Sequence, residues 1–218
     1  MRRNSALTPL TYAVTLVFVL IVNCSSATSA IPDPVGDAFG TPTTAHDLSS
    51  IDAFVSSTAV TFIATFVDPI AAPSAFSPNS VVGYIDLDLD RNPRTGAFAK
   101  KSLFSPIGDS ELGAEFHVDL FSERFHAGEV DVINNATVEP VGTASIDFQE
   151  KSFVVTLPLA LILGDTDFNY GAIVGDYLDM SDEAPDRGFA TVPEPCCALT
   201  GSFLWLIAAF RAKQRQSF

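Results

Sequence analysis

Cysteine is scarce in this chain, and the three that occur lie near its ends, at Cys24, Cys196 and Cys197. The long middle of the chain can therefore form no disulfide and no thiolate metal site. Basic residues are also few, since 12 Lys and Arg stand against 26 Asp and Glu and give a formal net charge of −14 at pH 7. This balance argues against nucleic acid and anionic membrane surfaces as partners. It is compatible with bound divalent cations, or simply with solubility.

Signatures of the familiar enzyme classes are missing as well. The sequence has no Gly-x-Ser-x-Gly, no His-Glu-x-x-His, no phosphate-binding glycine loop and no cysteine nucleophile in its middle. The histidines His46, His117 and His126 lie far apart in sequence. Pairs of acids suited to glycoside hydrolysis occur by chance in any acidic chain and carry almost no weight. We therefore assign no catalytic residue and expect a protein that is not an enzyme.

The N-terminus has the three parts of a secretory signal peptide. Two arginines at residues 2–3 precede an apolar run at 13–22 that only Thr15 interrupts, and small and polar residues follow. The run is shorter than the roughly 20 residues that a membrane-spanning helix needs. We predict removal by signal peptidase after Ala30 or after Ala27. A retained membrane anchor and a lipoprotein cysteine at Cys24 are the alternatives.

The C-terminus carries a second three-part signal. An apolar run at residues 196–210 is preceded by one short motif and followed by a basic tail. The motif is Val192, Pro193, Glu194 and Pro195, and the basic tail contains Arg211, Lys213 and Arg215. These residues resemble the PEP-CTERM sorting signal, which joins a Pro-Glu-Pro motif, a transmembrane stretch and a basic cluster. The resemblance implies cutting near the motif by an exosortase-type enzyme of a Gram-negative-type bacterium.

The physical properties of this tail fit the same role. Prolines keep the motif extended and accessible, the apolar stretch lies in the bilayer, and the positive charges hold the end in the cytoplasm. Two features depart from the pattern: the apolar run has only 15 residues, and a cysteine doublet follows the motif directly. The alternatives are a buried C-terminal helix of a soluble domain and a glycolipid-anchor signal, which would end in its hydrophobic part.

Between the two signals, apolar and polar residues alternate in short runs separated by Gly, Pro, Asn and Asp. In residues 59–66, for example, the apolar side chains Val60, Phe62, Ala64 and Phe66 recur at every second position. Only residues 158–163 could form a single helical turn. Similar alternating runs occur at residues 81–90, 114–120, 128–133, 144–148, 151–158 and 169–178. Period-two runs of this length predict an all-β fold, namely an antiparallel β-sandwich (jelly-roll or Ig-like) of about eight or nine strands.

The predicted organisation therefore has three parts. A signal peptide covers residues 1–30, the β-sandwich domain covers 31–191, and the sorting signal with its membrane helix covers 192–218. The stretch 31–195 holds seven basic residues and all 26 acidic ones, a net charge of about −19.

Several landmarks resemble exported β-sandwich modules related to DOMON domains and to family 9 carbohydrate-binding modules. They are Asp33-Pro-Val-Gly36-Asp37, His46-Asp47-Leu48, the stretch from Tyr84 to Gly96, and Phe168-Asn169-Tyr170-Gly171. The resemblance rests on the order of these landmarks. It implies a module that binds sugars, haem or calcium, or serves as an accessory domain. Haem ligation is not carried over, because no Met or His matches a ligand position.

The most informative internal motif is an acidic run that passes from a strand into a turn. It contains Asp86, Asp88, Asp90, Asn92 and Thr95. Carboxylates two residues apart share a strand face, and the turn can curl more oxygens around one point. Ca²⁺ takes six to eight oxygen ligands in flexible arrangements of this kind. We predict a calcium site here, with an acidic strand edge that prevents aggregation as the alternative.

The same motif is not an EF-hand loop. Arg91 occupies the sixth position, where glycine is needed, and Ala97 the twelfth, where a bidentate glutamate belongs. Glu115 and Asp119 share a face of another predicted strand, and they either add ligands or remain solvated.

Together these features predict an exported binding module of the cell envelope or extracellular matrix, stabilised by calcium and with polysaccharide as its expected partner. A purely structural envelope component without a ligand is the first alternative. An extracellular hydrolase is the least favoured one.

The exported form should lack both terminal signals. We expect mass spectrometry of that form to show a start near residues 27–31 and an end near Pro195. Recovery of a chain from the cell surface that extends intact to Phe218 would contradict the sorting interpretation.

Overall fold

The computed structural model describes residues 29–39, 46–74, 77–98, 112–177, 180–186 and 188–192, which all belong to one compact unit, Ala27–Pro195. Strands dominate the described residues, and the helical segments among them are two short 3-10 helices, Leu120–Arg124 and Leu159–Ile162. The strands are β1 (Ser29–Pro32), β2 (Leu48–Val55), β3 (Ala59–Phe66), β4 (Val82–Asp88), β5 (Ala97–Phe98), β6 (Gly113–Ala114), β7 (Phe116–Asp119), β8 (Glu129–Asn134), β9 (Glu139–Phe148), β10 (Ser152–Pro158), β11 (Asn169–Gly175), β12 (Met180–Ala184) and β13 (Ala190–Thr191).

Eleven of these strands form one antiparallel sheet that nearly closes into a barrel. Its strand order is β1-β2-β3-β10-β9-β8-β7-β4-β11-β12, and β13 pairs with β11. The strands β5 and β6 form a separate small ribbon. The two ends of the long sheet, β1 with its neighbour β2 and β12, approach each other: the side chain of Asp182 on β12 accepts a hydrogen bond from Leu48 N at 2.6 Å.

The core follows from the alternation of side chains along each strand. On β3, Val60, Phe62, Ala64 and Phe66 are buried, and the residues between them are half-buried. Since successive side chains of a strand point to opposite faces, one face of each strand lines a shared core and the other faces outward. That core takes in nearly every buried apolar residue of the sheet, with Phe62, Phe153, Phe168 and Tyr170 as its largest members.

A second, smaller apolar cluster lies on the outer face of the sheet. Val82 of β4, Ile173 of β11 and Met180 of β12 form its buried part. The register confirms the placement, because Ile173 pairs with Tyr84, whose neighbour Ile85 points into the main core.

The sequence prediction of an all-β antiparallel domain is confirmed. Within the described ranges, however, hydrogen bonds run unbroken from β1 to β12, so the predicted division into two packed sheets is not seen. More strands occur than expected, because β1, β12 and β13 are short or carry no alternation. All five residues of β12 are buried, including Ser181, Asp182 and Glu183. The predicted turn at 158–163 coincides with the second 3-10 helix.

The predicted C-terminal membrane helix, and all but the last two residues of the predicted signal peptide, lie outside the described residues. Among the residues that are described, no helix is long and apolar enough to cross a membrane.

Gly83 permits the close pairing of β4 with β11. Its φ is 141°, and a Cβ atom there would overlap the carbonyl oxygen of Ile173 and approach the backbone of Val174. Backbone atoms of a central strand cannot move aside without breaking the ladder. The site described below begins at the end of this same strand.

We therefore expect Gly83→Ala to lower the free energy of unfolding by about 3 kcal/mol or more, through overlap and a strained backbone together. Gly164→Ala is the matched control, since its φ is 78° but a Cβ atom there meets nothing within 4 Å. The control should lose about 1 to 2 kcal/mol from backbone strain alone. Urea unfolding of both variants measures the difference, and equal losses would contradict the close approach.

Candidate metal centre

The acidic motif forms the end of β4 and the turn that follows it. Asp90 Oδ1 accepts a hydrogen bond from Asn92 N at 2.9 Å, and Thr95 Oγ1 lies 2.9 Å from both carboxylate oxygens of Asp90. The carbonyl oxygen of Asn92 accepts from Thr95 N at 3.0 Å. Arg91 takes a left-handed conformation with φ 55° and forms an ion pair with Asp167. Side chains therefore fix this turn from within, in the manner of other Asx turns.

The turn packs closely on the small β5–β6 ribbon. A Cβ atom at Gly113 would overlap the carbonyl oxygens of Asn92 and Thr95, and one at Gly96 would overlap the backbone of Ala114. Only glycine fits at both positions. As a result, the residue that follows β6, Glu115, is held beside the turn.

Three carboxylates meet at this point. Asp88, Asp90 and Glu115 each offer an oxygen, and these oxygens all lie within 4.8 Å of one another. Asp88 is fully buried, Glu115 is half-buried and Asp90 is exposed. The group thus opens to solvent on one side only.

Two oxygens of the group have no hydrogen-bond partner. Asp88 Oδ1 accepts from Asn92 N at 3.1 Å, and Glu115 Oε2 accepts from Leu89 N at 2.8 Å. Asp88 Oδ2 and Glu115 Oε1 are buried, and no described residue bonds to either. A buried polar atom without a partner costs about 1 to 3 kcal/mol. A cation bound by these carboxylates would supply the positive charge that such oxygens lack.

The electrostatics of the three carboxylates are consistent with a place for a positive charge among them. Burial raises the pKa of Asp88, and the neighbouring carboxylate of Asp90 raises it further, against hydrogen bonds from Asn92 and Asn169 that lower it. Burial likewise raises the pKa of Glu115, and Asp90 and Asp88 add to the rise. Like charges and desolvation both disfavour the ionised forms.

The structure brings only part of the predicted ligand set together. Asp88 and Asp90 join the group, and Glu115 joins them from β6–β7. Asp86 lies two residues earlier on β4, paired opposite His117 of β7. Asn92 and Thr95 hold the turn through the bonds given above. Asp119 caps the first 3-10 helix by accepting from Phe121 N at 3.0 Å.

The turn resembles an EF-hand loop in its backbone at the sixth position and differs from it at the twelfth. Arg91, at the sixth position, adopts the left-handed backbone for which glycine is favoured. Ala97, at the twelfth position, has no carboxylate, but it pairs with Ala114. Glu115 directly follows Ala114 and supplies a carboxylate from the neighbouring strand.

A second acidic group was not predicted from the sequence. Asp33, Asp37 and Asp182 also offer oxygens within 4.8 Å of one another. Aspartates are frequent in both segments, but 149 residues separate Asp33 from Asp182, so only the fold unites them. No ligand pattern in the sequence links Asp33 and Asp37 to Asp182.

The chain matches no protein-family model, and no curated protein is significantly similar to it.

Proposed function

We propose that this protein is an exported binding module of a bacterial cell envelope or extracellular matrix, stabilised by calcium, with polysaccharide as its partner. Its terminal residues support the address: the N-terminal segment suits export, and the C-terminal segment suits an exosortase-type sorting system with transient membrane anchoring. The pairing of β1 supports signal-peptide cleavage after Ala27. Cleavage after Ala30 would remove Ser29 and Ala30, which pair with Ala53 and Asp52 of β2.

Calcium is favoured over other cations by the chemistry of the donors. Asp88, Asp90 and Glu115 provide oxygens alone, which excludes a preference for soft metals. Ca²⁺ accepts irregular oxygen arrangements, whereas Mg²⁺ requires a tight octahedron and gives up its water reluctantly. The exposed side at Asp90 leaves room for water to complete the shell.

Calcium should raise the melting temperature of the protein well beyond the effect of sodium chloride at equal ionic strength. A ligand a hundredfold above its Kd adds about 2.7 kcal/mol to the free energy of unfolding. Asp88→Asn should remove the share of this increment that comes from this site, because it removes the charge of its most deeply buried ligand. Differential scanning calorimetry with and without EDTA measures the effect.

The control for this experiment is Asp147→Asn, which removes an exposed carboxylate on β9, outside the acidic group. It should keep the full calcium increment. If sodium chloride matched calcium, or if both variants behaved alike, general screening would explain the result. The motif would then be a solvated, edge-protecting strand.

One observation carries the binding part of the proposal, a cluster of aromatic side chains on the outer face of the sheet. We call it the aromatic patch and define it as Phe39, Tyr84, Phe121, Phe125 and Tyr177. Phe121 packs edge-on against both Phe125 and Tyr177, with ring centroids 5.7 and 5.1 Å away. Phe125 is 66% exposed. Exposed aromatic groups of this kind mark binding sites more often than chance placement.

Polar groups border the aromatic patch at the same point. Arg124 Nη1 donates a hydrogen bond to the Tyr177 hydroxyl at 2.7 Å, and its guanidinium lies 5.3 Å from the centre of that ring. Rings that present an apolar face beside hydrogen-bonding groups suit the mixed surface of a sugar. The net charge of the domain repels polyanions, so a neutral polysaccharide is favoured over an acidic one.

We expect the protein to be retained by at least one neutral polysaccharide in affinity electrophoresis, and Phe125→Ala to weaken the retention at least fivefold. Loss of one well-placed aromatic contact at an interface costs about 1 kcal/mol or more. Leu163→Ala is the control, since Leu163 is 85% exposed but lies outside the aromatic patch. Failure of the wild-type protein to bind any polysaccharide would favour the structural alternative without a ligand.

A further inference from the structure

The second acidic group lies where the two ends of the long sheet meet. Asp33 and Asp37 belong to the segment that follows β1, and Asp182 belongs to β12. Asp47, just before β2, borders the same place, because its Oδ2 accepts a hydrogen bond from Gly36 N at 2.8 Å. We call Asp33, Asp37, Asp47 and Asp182 the seam cluster.

The carboxylate of Asp33 is the central observation. The residue is only 5% exposed, and both of its carboxylate oxygens are buried. Neither oxygen has a hydrogen-bond partner anywhere in the described part of the chain. A buried carboxylate usually accepts two or more hydrogen bonds or faces a cation. This one instead points toward the oxygens of Asp37 and Asp182.

The other members of the seam cluster also keep acceptor capacity for a ligand. Asp37 Oδ1 and Asp47 Oδ1 are buried, and no described group bonds to them. Asp182 accepts from Leu48 N at 2.6 Å and from Glu183 N at 2.9 Å, one bond to each oxygen. Each carboxylate oxygen has two lone pairs, so both oxygens of Asp182 can still bind a cation.

Every member of the seam cluster is a carboxylic acid, and no described basic residue forms an ion pair with any of them. Burial raises the pKa of Asp33 to about 8, and the carboxylates of Asp182, Asp186, Asp37 and Asp47 contribute to the rise. Burial also raises the pKa of Asp182 to about 7, against its two backbone hydrogen bonds. Without a counter-charge, ionising this cluster at neutral pH opposes folding.

We infer that the seam cluster is a second binding site for a divalent, oxygen-seeking cation, for which Ca²⁺ is the natural probe. Such an ion would bond to Asp33 and Asp37 from one end of the sheet and to Asp182 from the other. It would replace mutual repulsion by attraction to a shared charge. Its structural effect is to lock the segment after β1 onto β12 and so to close the sheet.

A cation would add to the contacts that already join the two ends of the sheet. Besides the bond from Leu48, the two ends are joined by Phe39 N donating to Ser181 O at 2.7 Å and by His46 N donating to Ser181 Oγ at 2.7 Å. A regular strand ladder between β12 and β2 is not formed in the described residues. Isolated hydrogen bonds thus join these two ends beside the buried carboxyl groups of Asp33 and Asp182.

The test is a calcium stoichiometry on the EDTA-stripped protein by isothermal titration calorimetry. The wild-type protein should bind two equivalents. Asp88→Asn combined with Glu115→Gln should leave the seam site, and Asp33→Asn should leave the site at the end of β4. We expect Asp33→Asn to weaken the seam site at least tenfold. The two variants therefore separate failure of this inference from failure of the calcium site proposed above.

Thermal unfolding provides an independent test, because the inference predicts the sign of the change in melting temperature. Asp33 accepts no hydrogen bond, so Asp33→Asn removes repulsion without breaking a contact with the protein. The variant should melt higher than wild type in EDTA and gain less from calcium. Asp37→Asn, at a half-buried position, should show the same pattern in weaker form and covers the case that Asp33→Asn fails to fold.

Two results would overturn the inference. One is a wild-type stoichiometry of one equivalent that the Asp88 and Glu115 changes abolish. The other is an unchanged calcium increment in both Asp33→Asn and Asp37→Asn. In either case the seam carboxylates share protons rather than a cation.

Discussion

Burying a carboxylate without a hydrogen-bond donor or a counter-charge costs free energy that the rest of a fold must offset. Asp33, which is 5% exposed, has no hydrogen-bond partner on either carboxylate oxygen among the described residues, and Asp88, which is 0% exposed, has none on Oδ2. Each of these aspartates has an oxygen within 4.8 Å of oxygens of two further carboxylates. Such an arrangement of carboxylates suits the binding of cations. A domain that has no cysteine between residues 24 and 196 cannot be cross-linked by disulfides, and bound ions can take over that role.

With cations bound, the two acidic groups would stabilise different parts of the same sheet. The group at the end of β4 joins a turn to the β5–β6 ribbon, which has only two residue pairs of its own. The seam cluster joins the first strands of the sheet to β12. Between the groups, β4 and β11 pair along seven residues from Asn169 to Gly175 and present the aromatic patch on their outer side. Phe39 of the patch follows Asp37 by two residues, so order at the seam also affects one edge of the proposed binding surface.

The sequence predicts the parts of this structure that local pattern determines. Strict alternation gives the inward faces of β3 and β4, because side chains of a strand point to opposite faces in turn. The acidic run correctly locates an acidic turn after a strand. What local pattern cannot give is the partner of each strand. Glu115 reaches Asp88 only because Gly96 and Gly113 let two backbones touch, and Asp33 reaches Asp182 only because the sheet curves back on itself. The strand β12 carries Ser181, Asp182 and Glu183 in a fully buried row, which no rule of alternation would select.

The distribution of charge also connects the stability of the fold with the proposed location of the protein outside the cell. In the unfolded chain these carboxylates are hydrated and far apart, and ionisation costs nothing. In the folded domain they lie close together, and Asp33, Asp88 and Asp182 are buried, so a bound cation would add to the stability of the fold. Calcium sites of extracellular modules bind with Kd values of about 10⁻⁴ to 10⁻³ M. Sites that weak stay empty where calcium is scarce and fill where it is plentiful. A domain stabilised in this way would reach its full stability only after export. This order of events suits a protein that is made with a signal peptide.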